Sequence, residues 1–364
     1  MSDRCALRPP AEQTFRDQLR MLTENDTAPR PPGWLLSPRA VKTFICGDDK
    51  QAIPRKFYGD DTLVERAIVG LASNRGLILV GEPGTAKSML SELLAAAISG
   101  DSTNTVQGSA GVSEDQIKYS WNYALLLAEG PTQRALTPSA LYTSMRAGKL
   151  ARFEEITRCA PEVQDALIGI LSEKMLIVPE LSGDDRVVMA QSGFNIIATA
   201  NTRDRGVNEM SSALKRRFNF ETVHPIRDLN MEVTLVERES NRLLHDAGSP
   251  VKADRNVIEL LVTVFHDLRE GATSEGIQVE KAAAVMSTAE AVSVAMSAGI
   301  DAHYFGNNVL TPDFVCKHLA SSVIKDTPED AKKLKHYFDV VVGKRGKDRG
   351  GLWSEFAKAR KWLS

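Results

Sequence analysis

The sequence predicts an α/β fold, a parallel sheet whose strands alternate with helices, followed by an all-helical region. Three observations predict it. From Thr62 to Arg227, short apolar runs alternate with helical patterns. One of those runs, LILV at Leu77 to Val80, leads into GEPGTAKS and then into MLSELLAAAIS, so that strand, glycine-rich loop and helix follow in succession. Beyond Arg227 the pattern is helical almost without interruption to about residue 325.

Taken in order, residues 1–60 carry short helical patterns broken by the proline-rich turns APRPPGW and LSPRA. The expected strands are Leu77 to Val80, Thr103 to Val106, Leu150 to Glu154, Asn195 to Ala200 and Phe220 to Val223. Pro161 to Lys174 is the clearest helix, with proline in its first turn and Val163, Leu167, Ile170 and Leu171 on one face. MLIVPELSGDDRVVM reads as a hairpin around Ser-Gly-Asp-Asp. The tail reads as a basic turn, GKRGKDRGG, and an amphipathic helix with Leu352, Phe356, Ala359 and Leu363 on one face. These patterns divide the chain into an N-terminal extension (1–60), an α/β domain (61–227), a helical domain (228–325) and a C-terminal extension (326–364).

Composition narrows the classes. A chain of 364 residues with 43% hydrophobic and 25% charged residues is an ordinary globular protein of two or three domains. A formal net charge of -2 argues against broad adhesion to nucleic acid or membrane. Cys5, Cys46, Cys159 and Cys316 are scattered without a CxxC, which suits a reducing compartment and offers neither a disulfide framework nor a zinc site. The N-terminal MSDRCALRPPAEQTF lacks the apolar core of a signal peptide. Ala282 to Gly299, interrupted by Glu290, reads as a buried helix and not a membrane span. A cytoplasmic protein is expected.

GEPGTAKS nearly fits the phosphate-binding pattern G-x-x-x-x-G-K-[ST], with Ala86 at the second glycine. Such a loop aims successive N–H groups at phosphate oxygens and adds the positive end of the following helix. Lys87 is expected at the β- and γ-phosphates and Ser88 on Mg²⁺. Ala86 is harmless if its φ is negative, as on entering a helix. Leu150 to Glu154 is an apolar strand ending in the pair Glu154-Glu155. Neighbours on a strand point to opposite sides, so Glu154 could support Mg²⁺ through its water shell and Glu155 polarise the attacking water; two solvated acids are the plainer alternative. Asn201 ends the strand NIIATAN and could orient water near the γ-phosphate, or serve as a turn residue. Arg216 and Arg217 end a helical pattern before Phe218; they read either as a solvated edge or as an arginine finger toward a neighbouring subunit.

In this order and spacing, GEPGTAKS, FEEITRCAPEVQDAL, IIATANT and ALKRRF closely resemble the MoxR branch of the AAA+ ATPases, over roughly residues 55–300. The CbbQ and NorQ activators and the McrB restriction motor share much of the pattern. Members commonly show GxPGxAK[ST], so Ala86 is a mark of the family. Arg158 and Pro161 resemble the family's DEINRAPP segment, with Glu154 in place of Asp and Thr157 in place of Asn. The resemblance implies a P-loop NTPase sheet with helices on both faces, an all-α lid, and ATP with Mg²⁺ bound by Gly81, Glu82, Pro83, Gly84, Thr85, Ala86, Lys87 and Ser88. It implies hydrolysis in a ring, usually a hexamer, with Glu155, Asn201 and Arg217, or second Arg216, at the reacting end. The family's lid arginine sits in a Ser-Pro-Arg turn; here the comparable ATSEGIQVEKAAAV has none, and Lys281 is the substitute or else a surface lysine on that helix. Gly108 to Lys149 occupies the place of the family's second-helix insert, which would line or flank a central pore together with the Met175–Ser192 hairpin; Trp121 and Tyr123 there are pore groups or plain core. The resemblance also implies a protein client, commonly a von Willebrand factor A domain protein. Two rivals share these residues: a nucleic-acid motor like McrB, which the near-neutral charge disfavours, and a scaffold that binds ATP without turnover.

Overall fold

Strand β1 (Gly76–Gly81) is apolar on both sides because both faces of its sheet are covered. Leu77 and Leu79 face one core and Ile78 the other. The computed structural model describes residues 8–201, 208–282, 286–324 and 328–363; Cys5 and residues 202–206 of the NTRDRG stretch lie outside them. The chain falls into two units, residues up to Glu82 with Ala86–Val223, and Pro83–Thr85 with His224 onward.

In the first unit, α1 (Ala11–Thr14), α2 (Arg16–Asn25), α3 (Pro38–Cys46) and α4 (Asp61–Ala72) precede β1. The start of α3 is set by Ser37, whose hydroxyl accepts from Ala40 N–H, and by Pro38 in the first turn. After β1 come α5 (Lys87–Ser99) and β2 (Thr105–Gln107). The second strand therefore begins two residues later than expected. Asp101 draws the Thr103 N–H and hydroxyl into a local turn, which competes with strand pairing. The insert folds as α6 (Glu114–Ile117), β3 (Tyr119–Trp121), α7 (Tyr123–Glu129), β4 (Leu136–Pro138) and α8 (Ala140–Ala147). Then follow β5 (Leu150–Glu154), α9 (Pro161–Asp165), α10 (Leu167–Glu173), β6 (Met175–Ile177), β7 (Val187–Met189), β8 (Asn195–Asn201), α11 (Ser212–Lys215) and β9 (Phe218–Val223). The expected helix from Pro161 is thus divided at Ala166, and Lys174 closes it in the left-handed conformation; Val163, Leu167, Ile170 and Leu171 are all buried as their spacing required.

The main sheet has five parallel strands in the order β2-β5-β8-β1-β9. One core joins α3, α4 and α5 to Leu150 and Ile197; the other packs Phe153, Ile196 and Ala198 against Leu141, Leu167 and Ile170. Two small antiparallel ribbons, β3–β4 and β6–β7, stand apart from it.

The second unit is all helical: α12 (Leu229–Asp246), α13 (Arg255–Glu270), α14 (Thr288–Phe305), α15 (Pro312–Val323), α16 (Pro328–Tyr337), α17 (Gly343–Arg349) and α18 (Gly351–Lys358). Helix α14 opens at Ser287, whose side chain and that of Glu290 form a capping box. The apolar stretch from Ala282 therefore begins in a loop, and Lys281 lies in that loop rather than on a helix. The expected basic turn GKRGKDR is also corrected: it is helix α17, entered through a wide helical turn at Phe338–Val342. Arg345 is buried there because it bridges Asp267 and Glu275, each at 2.7 Å, while Tyr337 donates to Asp267 at 2.7 Å. Phe356, Ala359 and Leu363 seat the tail in the same core, with Leu352 at its margin. No described helix is long and apolar enough to cross a membrane.

Candidate nucleotide site

The loop after β1 turns on two left-handed residues, Gly84 at φ 76° and Ala86 at φ 66°. Alternation of this kind turns successive N–H groups to one side, making a concavity for an anion, and it stands at the N-terminus of the 13-residue α5. The expectation of a negative φ at Ala86 is overturned. The residue is the non-helical cap of α5, where the loop must reverse before the helix begins, and its methyl group bears a strain of about 1–2 kcal/mol. Lys87 is buried, and its ammonium donates to the Gly81 and Glu82 carbonyls at 3.1 and 2.7 Å. The cation is thereby held over the loop.

Ser88 sits one residue into α5 and its hydroxyl donates to Glu154 at 2.6 Å. Glu154, at the end of β5, is buried among donors: Ser91 Oγ at 2.5 Å, Thr199 Oγ1 at 2.8 Å and Arg152 at 2.9 Å. Burial alone pushes this carboxyl up, but the hydroxyls of Ser88 and Ser91, the Arg152 charge and Thr199 outweigh it and hold it below the usual carboxylate range. An ionised carboxylate beside a serine hydroxyl is a hard oxygen donor set of the kind Mg²⁺ takes alongside phosphate and water. The residues present fit Mg²⁺.

Glu155 departs from the strand. Its φ of 54° turns the chain sharply, its N–H donates to Thr199 Oγ1 at 2.9 Å, and its carboxylate meets Arg158 Nε at 2.6 Å. Such a backbone in a non-glycine residue is strained by roughly 1–3 kcal/mol and gathers at functional positions. The turn is possible because Gly108 lies against it: its N–H donates to the Glu154 carbonyl at 2.7 Å, and a Cβ there would stand 2.3 Å from the Glu155 carbonyl. Asn201 ends β8 in register with Gly81, so its backbone stands beside the start of the loop.

Residues 76–218 match the model described as "AAA domain (dynein-related subfamily)", and residues 230–364 match the "YehL-like AAA+ ATPase C-terminal domain". The uncharacterized protein YehL of Escherichia coli (strain K12) is 51% identical over 97% of this chain and 96% of its own length. The chain belongs to the YehL-like AAA+ ATPases. The uncharacterized protein YojN of Bacillus subtilis (strain 168) is 24% identical over 61% of this chain and 68% of its own. Among solved structures, NtrX from Brucella abortus in complex with ADP matches at 12% identity and a TM-score of 0.49, over 85% of this chain and 69% of that one.

The remaining predicted residues of this YehL-like AAA+ chain lie elsewhere in the sequence. Arg217 is engaged within its own unit, donating to Ser172 Oγ at 2.9 Å and to the Ala213 carbonyl at 2.8 Å. Arg216, the cap of α11, is exposed and has no side-chain partner among the described residues. Lys281 is exposed, its stem lying against Gly271. Trp121 is half-buried, its ring at right angles to Tyr119, whereas Tyr123 is exposed. Sequence reasoning missed Arg152, Ser91, Thr199 and Gly108. One signal for Arg152 was present: a charge inside the apolar strand LARFE, two residues before Glu154 and so on the same side of the strand, demands a buried partner.

Proposed function

We propose that this chain hydrolyses ATP in a ring of its own copies and uses the cycle to remodel or activate a partner protein, in the manner of the MoxR branch. The observation that carries the reading is the convergence of the phosphate-loop helix and the β5 acids: Ser88 meets Glu154, and the strained Glu155 follows directly. Ser88 and Glu154 would hold Mg²⁺, which would supply neutralisation of the phosphate charge. Loop N–H groups and the Lys87 ammonium bind and orient the triphosphate. Glu155 accepts the proton of the attacking water at its carboxylate, once that carboxylate leaves Arg158, and the Asn201 amide orients the same water. Because Arg217 is already engaged and Arg216 is not, Arg216 is the arginine offered to a neighbouring subunit's phosphates. The hexameric ring and a von Willebrand factor A domain partner rest on the MoxR resemblance alone.

Steady-state phosphate release tests the reading. The wild-type chain turns over ATP, and Glu155→Gln binds ATP with unchanged affinity while losing roughly 10²–10⁴-fold in rate. A wild-type chain that binds ATP without releasing phosphate returns the function to a nucleotide-gated scaffold.

A further inference from the structure

Arg152 carries a charge into the middle of β5, whose other side is formed by the buried, apolar Ala151 and Phe153. On its own side stand Leu150, in the core around α5, and Glu154. The guanidinium is buried and spends its N–H groups in four directions. Nε donates to Ser91 Oγ at 3.0 Å and Nη1 to the Ser102 carbonyl at 2.9 Å. Nη2, which has two hydrogens, donates to the Ser88 carbonyl at 3.1 Å and to Glu154 Oε1 at 2.9 Å. One planar group thus holds the backbone of Ser88 and the carboxylate of Glu154 together. The other carboxylate oxygen, Oε2, is left to the hydroxyls of Ser88 and Thr199. The anchors are themselves fixed. Ser91 Oγ lies 2.5 Å from Glu154 Oε1, and Glu12 of the N-terminal extension accepts the Ser102 N–H at 3.2 Å and its hydroxyl at 2.7 Å.

We propose that Arg152 is a positioning residue for the metal side of the nucleotide site, fixing Glu154 and Ser88 in the relative placement in which they would hold Mg²⁺; the proposal rests on the assignment of Mg²⁺ to that pair. Stability alone is a poor reason for the arginine. A buried ion pair commonly contributes no more than well-packed apolar residues of similar volume, and apolar side chains fill the other side of this strand. Orientation is a better one. Glutamate has an additional rotatable bond that aspartate lacks, and the bonds to Oε1 stop that rotation with Oε2 turned to the first turn of α5. Lysine cannot do this work. It keeps the charge but has no rigid fork with which to meet Ser91, Ser102 and Glu154 at once. Groups that orient a metal's ligands typically govern its affinity by roughly 10–100-fold.

The test is the calorimetric affinity of the full chain for a non-hydrolysable ATP analogue, measured once with excess Mg²⁺ and once with EDTA. Mg²⁺ tightens binding to the wild type. Arg152→Lys keeps a positive charge opposite Glu154, so the chain folds, and its affinity in EDTA equals that of the wild type because the loop and Lys87 are untouched. Its gain from Mg²⁺ falls by roughly tenfold or more, and phosphate release needs correspondingly more Mg²⁺ for half its maximal rate. Ser91→Ala, which removes one anchor and no charge, lowers the gain in the same direction by less. An Arg152→Lys chain with the wild-type gain from Mg²⁺ overturns the proposal. So does an equal loss of affinity with and without Mg²⁺, which makes Arg152 a support of the fold alone. Should Arg152→Lys fail to fold, Ser91→Ala decides by the same comparison. A wild type that gains nothing from Mg²⁺ takes the metal from Ser88 and Glu154, and this role from Arg152 with it. A wild-type gain that Arg152→Lys retains removes this role only and leaves the reading of the site standing.

Discussion

Ala86 holds a left-handed backbone that glycine adopts without strain. Replacing it with glycine should therefore stabilise the fold by about 1 kcal/mol, despite the greater freedom glycine gives the unfolded chain. Urea unfolding checks this; a loss of stability would place Ala86 in a different conformation. The two acids separate in kind as well as role. Glu154→Gln removes the charge facing buried Arg152, so it should destabilise by about 3–5 kcal/mol besides altering the Mg²⁺ dependence of hydrolysis. Glu155→Gln should leave the unfolding midpoint nearly unchanged, because that side chain is partly exposed and faces an exposed arginine. The pair Glu154-Glu155 was legible as a strand end. The burial of Glu154 was not, because the donors that enclose it come from α5 and β8, and no spacing in the sequence brings Ser91 and Thr199 together.

The five parallel strands were legible because strands buried on both faces read as continuous apolar runs. The insert was not resolved beyond its location, since strands of three residues leave no period to read. Helix α17 was misread for a related reason: its glycines and lysines resemble a turn, and only the pairing of Arg345 with Asp267 and Glu275 shows how the helix is anchored through that one buried residue. Arg345 holds the Glu275 carboxyl well below the usual carboxylate range. A carboxyl depressed in the folded state contributes stability that is fully present above its unfolded pKa, about 4.3, and is lost as pH falls through the folded value. Glu275→Gln should therefore flatten the acid side of the stability–pH curve and leave its slope near neutrality unchanged. Chemical unfolding from neutral to acid pH checks it; an unchanged acid slope would mean that the α17 ion pair does not form in solution.

At the scale of the whole molecule, chain order carried the family reading: loop, acid pair, polar strand end and paired arginines occur in a succession that no one of them would establish. The sequence favoured Arg217 over Arg216 as the trans-acting arginine; the contacts of Arg217 with Ser172 and the Ala213 carbonyl, which no spacing foretold, are the ground for proposing Arg216 instead. The ring account requires that an intact phosphate loop in one subunit meet an intact arginine from another. Hydrolysis per subunit should then rise with protein concentration as rings assemble. The most direct measurement mixes Arg216→Ala, which keeps its loop, with Lys87→Ala, which keeps its arginine, and follows phosphate release. Each variant alone should be nearly inactive, and the mixture should recover a fraction of wild-type activity that changes with the mixing ratio. A mixture no more active than its parts, or a demonstrably monomeric wild-type preparation turning over ATP at the full rate, would contradict the trans-acting arginine and the ring mechanism with it.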